Sequence, residues 1–273
     1  MLIPSLLVGL ICDIIGYEIL NSPIYRAGDT HTLGVLTSDS FSVVTFAGNL
    51  LFVQQLLVPC FGSNGALWSV AYEFWFYIWF PTLFFALKGK PSIFLASLFI
   101  AIMFPTLLFY FGIWLLGYVV FLLSQSPVPR VVSNSAVGYV TFGISFIVFI
   151  ISILVSKLQT SMLGDLFMSI SFGTLLCVGL TMHGPLPRAP RIIKEFGARA
   201  SFSLYAVHLP ILILTVAVFG WPRKPPNLVY FGLIVILSLA MCILAYGFSQ
   251  MTERHTSKIR SLIHRMTHFS GER

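Results

Sequence analysis

The sequence predicts an all-α, polytopic transmembrane helix bundle. Three observations predict it. Hydrophobic residues make up 57% of the chain and charged residues only 9%, with a mean hydropathy of +0.92. A soluble domain carries roughly 25% charged residues, so a chain this poor in charge cannot clothe a water-facing surface. The apolar residues fall in runs of about 20, the length that a bilayer core of about 30 Å requires of a helix. No polar stretch is long enough for a separate soluble domain. Residues 1–250 therefore read as one membrane domain and residues 251–273 as a basic cytoplasmic tail.

Taken in order, the predicted spans are Leu2–Leu20, Phe41–Pro59, Gly65–Leu87, Ser135–Val155, Ser161–Met182, Ser201–Phe219 and Asn227–Ser249. The stretch Ser92–Leu123 is also apolar, and Pro105 inside it removes a backbone donor. It reads as one kinked span or two short ones, giving about eight spans, or nine. The opening Met1–Leu20 has no basic flank and no small-residue cleavage site, so it is not expected to be a cleaved signal peptide.

The net charge of +7 sits in short connections and the tail. Arg188, Arg191, Lys194 and Arg199 form one basic group, and Arg254, Lys258, Arg260 and Arg265 another. Two spans lie between them, so both fall on one side, the cytoplasmic one by the positive-inside rule. No basic stripe with polar readers is present, which argues against nucleic-acid binding. The four cysteines, Cys12, Cys60, Cys177 and Cys242, are far apart without metal-ligand spacing and read as small hydrophobes; no metal is expected.

Two segments could carry chemistry. In GALWSVAYEFWFYIWFPTLFFAL, Glu73 lies well inside an apolar helix. Intramembrane carboxylates are costly and usually face a bundle interior or a wet cavity. Helical spacing puts Ser69, Glu73 and Tyr77 on one face, beside an aromatic stripe of Trp68, Tyr72, Trp75 and Trp79. The stripe alone reads more readily as packing or an interfacial belt. In SFSLYAVHLP, Ser201, Tyr205 and His208 share a face. A histidine there can move protons near neutral pH, or be a satisfied core residue. Gln54 and Gln55 read as interhelical hydrogen-bonding groups. Asp13 is deep in its run, whereas Glu18 and Asp165 lie nearer solvated ends. Serine-hydrolase, P-loop, dinucleotide-binding and zinc-protease motifs are absent. The residues alone fit an enzyme, a transporter or a structural subunit equally.

The segment Gly48–Pro81, with LWSVAYEFWFY at its centre, resembles the acyltransferase-3 family of bacterial membrane O-acyltransferases. The matching positions are Leu67, Trp68, Ser69 and Glu73. SFSLYAVHLP is similar to a later family helix and places Ser203, Tyr205, His208 and Pro210. YGFSQMTER is similar to the close of the family's last span.

The resemblance implies an acyl, usually acetyl, transfer from cytoplasmic acyl-coenzyme A (acetyl-coenzyme A) to a hydroxyl of a cell-surface glycan such as lipopolysaccharide, or a lipid-linked acceptor. It implies a multi-pass protein of the inner (plasma) membrane, in contact with lipid, with no bound cofactor. Glu73 and His208 would be catalytic; Trp68, Ser69, Tyr77, Ser203 and Tyr205 would bind substrate. Arg188, Arg191 and Arg199 would meet the donor phosphates. Family members usually begin with two further helices carrying an arginine and a histidine. By that comparison this chain is expected to lack its N-terminal helices and to be inactive alone, or to use His208 as a substitute base. The alternatives are a small-molecule or lipid-glycan transporter or flippase, or a non-catalytic fragment.

Overall fold

In the computed structural model of the chain the described residues are 2–26, 38–92, 95, 102–125, 136–158, 161–181, 191–219 and 227–252. For residues 26, 38, 181, 191–196, 198 and 199 only the backbone is described. The helices are α1 (Leu2–Ile14), continued by a π turn over Ile15–Ile19, then α2 (Pro23–Arg26), α3 (Val43–Leu50) and α4 (Trp68–Leu87). They continue with α5 (Pro105–Gln125), α6 (Ala136–Leu158), α7 (Met162–Thr181), α8 (Arg191–Phe219) and α9 (Leu228–Thr252). Among the described residues, seven helices are long and apolar enough to cross a membrane. Their outward faces carry Val137, Ile144, Ile151, Leu163, Phe231 and Ile243, all exposed. Such faces are stable only against lipid, and the chain is a multi-pass membrane protein.

Six of the predicted spans are present as helices, but Phe41–Pro59 is not one. Only the eight residues Val43–Leu50 are helical there, about 12 Å at 1.5 Å per residue, far short of a bilayer core. The chain then turns back through Phe52 and Gln55, both at positive φ. The reason lies in Gly48 and Asn49. A Cβ at position 48 would stand 2.5 Å from Val58, so only glycine lets the returning chain come so close. Asn49 is buried; it donates to the Thr45 and Pro59 carbonyls (2.8 and 3.0 Å) and accepts from the Phe61 N–H (3.1 Å). One amide side chain thus satisfies the backbone where the helix stops. Of Ser92–Leu123, residues 92, 95, 102 and 103 are helical, Phe104 is not, and helix α5 runs from Pro105 onward. Pro105 therefore stands at a helix start, where its missing N–H costs nothing, rather than in a kink.

The chain forms two compact units. The first comprises residues 1–71 and 189–273. Here α8 packs on α1 and on α9, around a core of Leu6, Phe61, Leu67, Ala206 and Val207. The second comprises residues 72–188, with α7 packed on α5 and α6. Its interior is aromatic: Trp79 meets Phe111 edge-on at 5.5 Å, and Phe80 meets Trp114 at 5.5 Å. Ser152 and Ser171 hydrogen-bond across α6 and α7 (2.7 Å).

Candidate active site

The first unit brings the two motif segments together. Asn64 and Tyr205 do most of this. Pro210, inside α8, has no N–H to give to the carbonyl of Ala206 one turn earlier. The buried Asn64 side chain supplies that donor, Nδ2 to Ala206 O at 3.1 Å, and also reaches Ser5 O in α1 (3.4 Å). From the other side, Tyr205 Oη donates to the Ala66 carbonyl. Because that phenol has one proton, its bond with the Ser69 hydroxyl is donated by Ser69. The start of α4, with Trp68 and Ser69, is thereby tied to the middle of α8. Gln54 Nε2 adds a bond to Leu67 O (3.0 Å). That bond and Gln55 to Cys60 Sγ (3.7 Å) are loop contacts, in place of the expected interhelical ones.

Ser201, Tyr205 and His208 do share a face, and that face lines a cleft of about 500 Å³ between α8 and α9. Most of its wall is apolar: Leu204 and Leu212 on α8, with Ile234, Leu237 and Met241 on α9. Ser238 and Cys242 are the polar contributions from α9, and neither stood out in the sequence. His208 Nδ1 lies 2.8 Å from the Tyr205 carbonyl. A carbonyl only accepts, so Nδ1 carries the proton and the lone pair of the neutral ring sits on Nε2. No hydrogen bond to Nε2 is found among the described residues. A tethered imidazole with an available Nε2 at a cleft can take a proton from a bound hydroxyl. Ser203 is fully buried and is not among the cleft residues.

In the second unit, Glu73 is partly buried and accepts a hydrogen bond from Tyr77 Oη (2.7 Å), the partner that helical spacing predicts. Of the aromatic stripe, Tyr72 and Trp79 are buried in packing, while Trp68 is exposed. Asp165 does not stand free in solvent: it accepts from Tyr110 Oη (2.7 Å) across to α5. Arg188 and the side chains of Arg191 and Arg199 lie outside the described residues. Among the described residues no cluster of histidine, cysteine and carboxylate side chains could hold a metal ion.

On α1, Asp13 is almost fully buried and its Oδ2 accepts from the Ser63 N–H (2.8 Å). Gly62 beside it is at φ +56°, and a Cβ there would lie 2.1 Å from that carboxylate oxygen. Just outside the spans, burial pushes the Cys60 thiol up, and burial together with the Asp13 carboxylate pushes the Tyr25 phenol above its ordinary range.

No curated protein and no solved structure matches this chain. A family model for an acyltransferase domain matches residues 1–247, which takes in both motif segments, the turn that joins them and the cleft. The chain belongs to the acyltransferase-3 family of membrane acyltransferases.

Proposed function

We propose that this protein transfers an acyl group from acyl-coenzyme A to a hydroxyl of a cell-surface glycan or its lipid-linked precursor, at the bacterial inner membrane. The observation that carries the reading is His208, held by Nδ1 and presenting Nε2 to a cleft within a chain of this family. The acceptor oxygen attacks the thioester carbonyl carbon. A C–O bond forms, the C–S bond breaks, and the acceptor proton passes by way of Nε2 to the departing coenzyme A thiolate. The phenol of Tyr205 keeps Ser69 and Trp68 at the cleft-bearing helix rather than acting on substrate. Glu73, held by Tyr77, is a second catalytic candidate by its place in the family's motif, and Trp68, exposed, offers a face for a sugar to stack on. Arg188, Arg191 and Arg199 draw the donor's phosphates to the cytoplasmic mouth.

The test is mass spectrometry of surface glycans from cells lacking the gene and from cells re-expressing this chain. Loss of a glycan O-acyl group, and its return with the wild-type chain but not with His208→Asn, supports the reading. Unchanged glycans, with altered uptake or flipping of a lipid-linked sugar, would favour transport instead.

A further inference from the structure

Resting on that reading, we infer that the group transferred is a hydrocarbon acyl chain longer than acetyl, and that the apolar wall of the α8–α9 cleft is its binding pocket.

Position makes the case. Leu204 and Leu212 flank His208 at one turn before and one turn after, on the same face of α8. Ile234, Leu237 and Met241 stand at i, i+3 and i+7 on α9 and line the opposite side of the cleft. The apolar surface therefore begins at the proposed base itself. In the reaction, the acyl tail is one bond from the carbonyl carbon under attack. A pocket continuous with the base takes that tail. A lipid carrier's chain is separated from the accepting hydroxyl by its phosphate and at least one sugar, so it does not reach this wall while the hydroxyl is at Nε2. A sugar fits the wall poorly, because each hydroxyl buried there without a partner costs free energy. Only Ser201, Tyr205, His208, Ser238 and Cys242 offer polar atoms. An acetyl group would leave most of a cleft of about 500 Å³ unfilled. Each buried methylene contributes about 0.8 kcal/mol, roughly fourfold in affinity.

Cys242 lines the cleft and is partly buried, which makes it a reporter of occupancy. The full chain, in lipid nanodiscs, is treated with N-ethylmaleimide in the presence of acetyl-, butyryl- or octanoyl-coenzyme A. Modification of Cys242 is then read by peptide mass spectrometry. The expected result is protection by octanoyl-coenzyme A at a concentration at least roughly tenfold below that needed with acetyl-coenzyme A. Leu237→Trp should move the preference to shorter chains and Leu237→Ala to longer ones, so that either variant suffices if the other does not fold. Equal protection by acetyl and octanoyl donors, or protection that neither substitution alters, overturns the inference, as does no protection by any donor. Surface glycans then separate the two failures: an O-acetyl group restored by this chain keeps the acyltransferase reading while removing the long-chain pocket.

Discussion

Asn64 donates to the carbonyl of Ala206, the oxygen that Pro210 leaves without its helical partner. The turn before α4 and the proline of α8 are thus one structure, although 142 residues separate the bonded pair. Asn64→Ala should lower stability by about 1–3 kcal/mol, because a buried carbonyl loses its donor. In a Pro210→Ala background the helical N–H returns and the penalty should shrink. Thermal unfolding in detergent by circular dichroism, arranged as a double-mutant cycle, measures that coupling. Equal penalties in both backgrounds would refute it.

Gly62→Ala should be worse than an ordinary loop substitution. The residue is at φ +56°, and the new methyl would sit 2.1 Å from Asp13 Oδ2. The carboxylate cannot swing away without releasing the Ser63 N–H. A loss of about 2 kcal/mol or more is expected, from strain together with displacement of a buried charge. A melting temperature within a degree of wild type would show that this turn is looser than its geometry implies.

His208→Asn removes Nε2 as a base while keeping a polar side chain of modest size. Glycan O-acylation should fall by about 10²–10⁴-fold, the usual worth of a positioned base, with the amount of protein in the membrane unchanged. Glu73→Gln keeps shape and removes charge, and should abolish O-acylation with equally normal membrane levels. Full activity in either variant removes that residue from the site.

The first unit should weaken at alkaline pH. Folding holds the Cys60 thiol and the Tyr25 phenol above their ordinary pKa values, chiefly by burying them. The unfolded chain therefore releases these protons first as pH rises. Their stabilisation is complete below the unfolded value of Cys, about 8.5, and is lost above it, with Tyr25 adding a second loss above about 10. Melting temperature should fall between pH 8 and 10.5, and Cys60→Ala should flatten the first part of that fall. N-ethylmaleimide at neutral pH should modify Cys242 and Cys177 well before the buried Cys60.

Much of the fold was legible because lipid imposes a simple rule. Each span needs about 20 apolar residues, and six of the predicted spans are helices close to their expected bounds. Phe41–Pro59 misled because hydropathy counts apolar residues and ignores where their backbone bonds go. Gly48 and Asn49 end that helix through contacts with Val58, Pro59 and Phe61, which no composition window registers. Asn64 could have been noticed: a proline inside an apolar helix leaves a carbonyl that needs a donor. Its identity could not, since an amide elsewhere in the chain would serve the carbonyl equally well.

Segment by segment, the residues establish a polytopic membrane protein, the common face of Ser201, Tyr205 and His208, and Tyr77 within reach of Glu73. Those follow from local periodicity and the free-energy cost of charge in lipid, both properties of one segment at a time. The folded arrangement alone brings Ser69 to Tyr205, leaves Nε2 rather than Nδ1 of His208 available, buries Ser203 outside the cleft lining, and supplies the cleft's apolar wall from α9. Each of these depends on how distant helices pack and which of their polar groups remain to be satisfied.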